Sequence, residues 1–240
     1  MPESRNVPGR WRVDHWRGPA GVAHGEVWPA VAAPAVRVIV AEGPALVLGS
    51  TQDPAIVDTA AAASEGIAVV RRRSGGGAVL VGTGDIVWID VFVPAGDPLW
   101  DRDVGRATHW LGRAWTDALA TFGVAAEWHD GPLVTSVWSS LVCFAGMGPG
   151  EVRVGGAKAV GVSQRRTRAG ALFQCAALLA WDPAPTLDLL VLDDDDRRRA
   201  VSDLAGVAGG IGVSSPGAPS GRRHGADEVQ EAFVGTVATL

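Results

Sequence analysis

The chain has 240 residues, 47% hydrophobic and 20% charged, with a formal net charge of −5. That balance suits one generous domain, or a domain with a tail, and lacks the basic excess of a nucleic-acid or membrane-surface protein. Cys143 and Cys175 are too few for a disulfide framework. The N-terminus has no apolar signal core, and no apolar run reaches the roughly 18–20 residues of a membrane span, so a cytoplasmic protein is expected.

Residues 1–25 carry charge, Pro, Gly and two Trp without a period and read as irregular. Short apolar runs at Val36–Val40 and Ala45–Leu48 flank Glu42-Gly43-Pro44, which predicts two strands and a turn. Asp53 as a cap, Pro54 in the first turn and an Ala-rich run to Ser64 predict a helix closed by Gly66. Ile67–Val70 and Ala78–Val81 are strand-like, with the punctuation Arg71-Arg72-Arg73-Ser74-Gly75-Gly76-Gly77 between them. Ile86–Val93 is apolar on both faces except at Asp90, which marks a central strand.

Asp101–Phe122 shows helical spacing through Val104, Ala107, Leu111, Ala114, Trp115, Ala118 and Leu119, and Gly123 ends it. Val124–Trp128 is a further strand, and 129–150 is mixed. Gly155-Gly156 joins Glu151–Val154 to Ala157–Ser163 as a hairpin, and Leu172–Leu179 follows as a strand. Asp193–Asp196 ahead of Arg197–Arg199 predicts a solvated helix with three Asp-to-Arg pairs at i, i+4. Residues 207–225 read as a flexible connector and Ala226–Leu240 as a short terminal helix. Strands dominate without regular βαβ alternation, so the expected class is α+β, with a mixed, largely antiparallel sheet and flanking helices.

Lys158 is the one lysine among 21 basic side chains, the rest being Arg. A position that keeps Lys in such a chain needs a compact ammonium on a flexible stem, which the planar guanidinium does not supply. It stands in Gly155-Gly156-Ala157-Lys158-Ala159-Val160-Gly161-Val162-Ser163, on the second strand of the hairpin. The Gly75-Gly76-Gly77 bend can expose backbone N–H groups as an anion-binding concavity, and neighbouring arginines can add contacts. The bend is not a P-loop, since no Gly-Lys-Ser/Thr follows, nor a dinucleotide fingerprint, since the glycine spacing is wrong. The histidines show no metal-ligand spacing, so no metal site is read, and no Gly-x-Ser-x-Gly elbow is present. Asp85 and Asp90 bracket a strand, where a Mg²⁺ role and an ordinary turn or strand role both stay open.

Together these segments resemble the lipoate–protein ligase and octanoyltransferase superfamily, related to the catalytic domain of biotin–protein ligases. RRRSGGGAV at Arg71–Val79, LVLGSTQDP at Leu46–Pro54 and GGAKAVGVSQRR at Gly155–Arg166 are similar to its motifs, in the same order. The resemblance implies a class II biotin/lipoate ligase-like catalytic domain over 26–185, followed by a helical and flexible C-terminal tail over 186–240. It implies that Lys158 contacts an activated acyl carbonyl and phosphate. Arg72, Ser74, Gly75, Gly76, Gly77 and Ala78 would form the loop over an acyl-adenylate, with Gly161 and Ser163 on the strand after the lysine. It further implies ATP, with Mg²⁺, as cofactor and lipoate or octanoate as substrate. The acceptor would be a lysine of a lipoyl carrier domain, in a 2-oxoacid dehydrogenase or the glycine cleavage H protein.

The chain departs from the superfamily at two points: Leu80-Val81 stand where an aromatic residue and His are usual, and Cys175-Ala176 stand where His-Gly is usual. Cys143, fifteen residues before Lys158, stands where some octanoyltransferases hold an acyl thioester. That opens an alternative in which Cys143 takes the acyl group from a carrier protein or lipoyl-protein donor without ATP. Cys175 is expected to face the core. A third alternative is a lipoate-binding module without catalysis.

Overall fold

In the computed structural model, which describes residues 3–6, 10–26, 28, 32–211 and 225–240, the central strand is β7 (Ile86–Pro94). It lies between β3 (Ala35–Ala41) and β11 (Gly170–Leu178). The full sheet has eight strands: β1 (Glu3–Asn6), β2 (Arg12–Gly18), β3, β7, β11, β10 (Ala157–Arg166), β9 (Val152–Val154) and β8 (Ala126–Trp128), in that order across it. Only the β2–β3 pair is parallel. A second sheet places β4 (Ala45–Leu48) between β5 (Ala68–Arg71) and β6 (Val79–Val81), parallel to the first and antiparallel to the second. The α+β class and the largely antiparallel sheet are as expected. Nearly every residue of β7 is buried, as a strand covered on both faces must be.

The odd residues of β7 and their neighbours face α3 (His109–Ala120) and α6 (Ala226–Val237). There Trp115 stacks on Phe233 with ring centroids 4.1 Å apart, and Leu111, Leu119, Ile89 and Phe173 fill the surroundings. A second core lies under the small sheet, where Leu46, Leu48 and Val142 meet Leu187 at the end of α4 (Ala184–Leu187), Leu190 just after it, and Leu204 of α5 (Asp194–Leu204). No helix among the described residues is long and apolar enough to cross a membrane.

Several local expectations are corrected. Residues 1–25 are not irregular: they hold β1, β2 and α1 (Ala20–Gly25). Apolar alternation in β2 is hidden because Asp14 is buried in the sheet. The Asp53–Ser64 helix is cut in two by its own caps. Asp53 accepts from Ala55 N–H at 2.9 Å over a 3-10 turn, and Asp58 accepts from Ala60 and Ala61 at the start of α2 (Thr59–Ser64). Helix α3 starts late, because Asp101 and Asp103 bind the N–H groups of Asp103 and Arg106 and favour turns there.

The three i, i+4 pairs of α5 do not form. Asp193 caps the helix, Arg197 reaches Asp188 and the Leu190 carbonyl, and Arg199 meets Asp203 at 3.6 Å. Of the expected connector, 212–224 lies outside the described residues. Val207–Gly209 instead runs beside β10, with Lys158 N–H donating to Val207 O at 2.9 Å and Gly209 N–H to Lys158 O at 3.0 Å.

Phe233 is fully buried on Trp115. Phe233→Ala should therefore cost about 3–5 kcal/mol, the usual range for emptying an aromatic site in a core. Urea denaturation measures this, and a loss below about 1 kcal/mol would show that α6 is not part of the cooperative unit.

Candidate active site

The residues after β5 turn over the end of β4 and return as β6, so the triple-glycine bend lies across Gly49. A Cβ on Gly49 would stand 1.9 Å from the Gly76 carbonyl oxygen. Gly77 is equally constrained, since its Cβ would meet Val142 C at 2.5 Å and Cys143 N at 2.7 Å. Glycine is required at both positions for close backbone approach. The bend is bound to that neighbour through Ala78 N–H to Leu141 O at 2.7 Å and Cys143 N–H to Ala78 O at 2.9 Å. Gln52 completes the junction. Its amide donates to Ser140 O at 2.8 Å and Leu141 O at 3.1 Å, while its oxygen accepts from Gly49 N–H at 2.9 Å.

The arginines are committed to carbonyl groups. Arg72 is buried and donates to Gly75 O through Nε and Nη2 (3.2 and 2.7 Å), to Gly77 O at 2.8 Å and to Val47 O at 3.3 Å. Arg71 holds Ser50 O and Arg73 holds Gly25 O. Because Arg72 gathers the bend's carbonyls, the N–H groups of Arg73 through Gly77 donate to no acceptor among the described residues. Unpaired N–H groups of successive residues are the donors from which anion-binding concavities are built.

Lys158 lies behind this junction, 2% exposed. Its Nζ is 2.6 Å from Glu151 Oε2, donates to Cys143 O at 3.1 Å and Gly146 O at 2.9 Å, and stands over the Phe144 ring at 5.3 Å. An ammonium has three N–H groups, and all three have partners. Glu151 also accepts from Gly148 N–H at 2.6 Å and Val162 N–H at 2.9 Å. The lysine therefore ties the 143–146 turn to β10.

On the other side of the junction a narrow crevice of about 40 Å³ has apolar walls from Val79, Val81, Trp88 and Ala176 and a polar rim of Arg72, Cys143, Ser163, Gln174 and His24. Cys143 is half-buried, and Gly161 belongs to the same lining. A second cavity, of about 200 Å³, is lined by Leu80, Thr83, Asp85, Phe144 and Trp181, with Val79 common to both. Ser74 reaches the rim, its hydroxyl 2.9 Å from Ser163 Oγ and donating to Gln174 Oε1 at 3.2 Å. The structure thus brings Arg72, Ser74, Gly161, Ser163 and Cys143 together around the crevice. Gly76, Gly77 and Ala78 are at its backbone junction, and Lys158 stands one carbonyl behind Cys143. Cys175 faces the α3 core, where burial pushes its thiol up to about 12.

Four residues of the site escaped the motif reading: His24, Asp90 in this role, Glu151 and Gln174. Two of the rim's groups belong to a row of side chains directly opposite one another across five strands: Ser163, Gln174, Asp90, Arg37 and Asp14. Opposed residues share a face of a sheet, so this is one polar line through a buried surface. Asp90 accepts from Trp88 Nε1 at 2.7 Å and from Gln174 Nε2 at 3.3 Å, and burial drives its carboxyl up to about 7 despite these bonds and the Arg37 charge. Arg37 meets Glu26 at 2.6 Å and Asp14 at 3.8 Å. His24 stacks on Trp88 at 4.4 Å and is held down to about 4 by burial and by the Arg72 charge. The lone Asp in an apolar strand was the visible sequence signal; nothing in the sequence distinguished His24 or Glu151.

The folded chain holds the Asp90 proton to about pH 7, while the unfolded chain releases it near 3.8. This group's contribution to stability is therefore lost as pH rises between those values. Thermal melts of Asp90→Asn should show the variant gaining on the parent from pH 4 to 8. His24 contributes the opposite slope in both proteins and cancels in the difference. A difference independent of pH would contradict the assignment.

Residues 29–214 match the family model of lipoyl protein ligase A/B catalytic domains. No curated protein matches the sequence. Among solved structures, the chain is similar to the bipartite lipoate protein ligase described with its E2 lipoyl domain from Thermoplasma acidophilum, with TM-score 0.72 at 16% identity over 98% of this chain and 84% of that one. It is similar to a T. acidophilum structure with bound lipoic acid, with TM-score 0.67 at 16% identity over 97% and 86%. It is also similar to a lipoate-protein ligase A bound with ATP, with TM-score 0.66 at 17% identity over 97% and 85%. At these identities the likeness shows the fold.

Proposed function

This chain belongs to the family of lipoyl protein ligase A/B catalytic domains, and from that premise we propose that it is an ATP-dependent lipoate–protein ligase of the cytoplasm. The observation that carries the reading is the cradle: Arg72 turns the carbonyls of Gly75 and Gly77 inward and leaves the N–H groups of Arg73–Gly77 for an anion, at the rim of an apolar crevice. Lipoate or octanoate places its chain in the crevice, which widens to admit it. The 200 Å³ cavity beyond Cys143, walled by Phe144 and Trp181, suits a nucleotide base. Mg²⁺, which binds nucleotide phosphates with one or two protein carboxylates, arrives with the ATP.

The carboxylate oxygen attacks the α-phosphorus and pyrophosphate departs. The neutral amine of a carrier-domain lysine then attacks the acyl carbon, AMP leaves with the bonding pair, and the nitrogen gives its extra proton to water. The backbone donors oppose the phosphate charge as fixed dipoles. Lys158 joins them by releasing one of its carbonyl partners. The acceptor is a lipoyl carrier domain of a 2-oxoacid dehydrogenase or the glycine cleavage H protein.

Lys158→Ala should lower lipoyl transfer by about 10²-fold or more, read by intact mass of a lipoyl carrier domain incubated with ATP and lipoate. It should also cost about 3–5 kcal/mol by leaving Glu151 unpaired. Unchanged turnover would refute the assignment.

Cys143 favours a second reading, because it lines the crevice itself. There its thiolate accepts the acyl group from a carrier-protein thioester and passes it to the lysine without ATP. Octanoyl carrier protein should then leave a hydroxylamine-labile adduct on the enzyme that Cys143→Ala lacks. Lipoate-dependent ATP–pyrophosphate exchange that survives in Cys143→Ala selects the ligase instead.

A further inference from the structure

The rim of the crevice holds several polar side chains, but most of their donors are already spent. Arg72 uses four of its N–H bonds on backbone carbonyls. Ser163 shares its hydroxyl with Ser74. The Gln174 oxygen accepts from Ser74, and its nitrogen lies 3.3 Å from Asp90 Oδ1 and 3.2 Å from His24 Nδ1.

This arrangement fixes the imidazole tautomer. The Gln174 oxygen is taken by the Ser74 hydroxyl, so its nitrogen faces Asp90 Oδ1, an oxygen that already accepts from Trp88 Nε1. The second hydrogen of that nitrogen then points at His24 Nδ1, which must be the acceptor. The ring proton therefore sits on Nε2, and this N–H donates to no described residue. Burial and the Arg72 charge keep the ring neutral in ordinary buffers.

We propose that His24 is a catalytic residue of acyl transfer: its Nε2–H donates to the carbonyl oxygen of the acyl group at the mouth of the crevice. Gln174 and Asp90 act as positioning residues that set its tautomer. The inference rests on the ligase reading and deepens it. When the lysine amine attacks the acyl carbon, the carbonyl π pair moves to oxygen, and the His24 N–H stabilises that charge until the pair returns and the leaving group departs. His24 gains and loses no proton. A neutral donor suits this task, because it opposes the developing charge without forming an ion pair with the ground-state carboxylate. His24 brings its imidazole to the crevice from α1.

The test uses the full chain, preformed octanoyl-adenylate and a lipoyl carrier domain, under single-turnover conditions. His24→Phe keeps a ring on Trp88 but has no N–H, and should lower the transfer rate by about 10²–10³-fold with the half-saturating carrier concentration nearly unchanged. His24→Gln returns an N–H near the Nε2 position and should recover at least about tenfold of that loss. A His24→Phe rate within about threefold of the parent, with the variant folded, overturns the proposal. So does a Gln variant no better than the Phe variant.

Nitrogen-15 spectra of histidine-labelled protein give a readout independent of turnover. His24 should be the neutral Nε2–H tautomer down to about pH 5, with that N–H shifted by octanoamide. Gln174→Leu should release the tautomer preference. An Nδ1–H tautomer, or no response to octanoamide, overturns the role of His24. Failure of the parent protein to acylate the carrier from octanoyl-adenylate overturns the ligase reading instead.

Discussion

Lys158 and Glu151 decide how the two halves of the site face each other. A buried ion pair is favourable only when its remaining hydrogen-bonding capacity is filled, because both charges have left water. Here it is filled on both sides: Lys158 has Glu151 and the carbonyls of Cys143 and Gly146, and Glu151 has Lys158 and the N–H groups of Gly148 and Val162. A guanidinium would direct its donors in one plane and could not meet three oxygens around one point. That accounts, on structural grounds and before any ligand arrives, for a lysine surviving in a chain whose other basic side chains are arginine. It also sets a condition on the chemistry. The ammonium reaches an anion only by giving up one of its three partners.

The glycine bend obeys a complementary constraint. Gly49 and Gly77 are small because backbone atoms occupy the places their side chains would take. The arginines expected to face a ligand instead face the protein's own oxygens. In the proposed ligase the bend's own N–H groups, rather than the guanidinium groups, supply the positive potential for an anion. The guanidinium of Arg72 holds the carbonyls of Gly75 and Gly77, and no described acceptor takes the N–H groups of Arg73 through Gly77. Backbone donors held this way need no reorganisation when a phosphate arrives.

Much of this could be read from the residues. The strand at Ile86–Val93, the Gly155-Gly156 hairpin and the α3 periodicity are strong local patterns, and the fold confirms them. The triple-glycine and Gln52 segments meet at Gly49, and the strand that carries Lys158 reaches the same crevice through Gly161 and Ser163. What stayed hidden has a common cause: polar residues placed inside. Asp14 breaks the alternation of β2, and Asp53, Asp58, Asp101 and Asp103 spend their carboxylates on nearby N–H groups and so split or shorten helices. Glu151 and Gln174 owe their roles to partners that only folding brings near. His24 sits in a segment with no period to reveal it.

The polar line from Ser163 to Asp14 bears on why the rim is ordered at all. Five polar side chains in register across a buried sheet face are costly, and apolar residues of similar size would pack there with less penalty. The line does what an apolar face would not. It ties the hydroxyl of Ser74, in a loop, to the central strand through one amide, so the loop's register at the crevice follows the sheet rather than its own flexibility. Loops carry chemistry most accurately when rigid elements hold them. In this chain the large sheet supplies that hold from the side opposite α3, through hydrogen bonds rather than packing. The crevice and the loop at its rim are therefore tied to the same strand, β7, that organises the core.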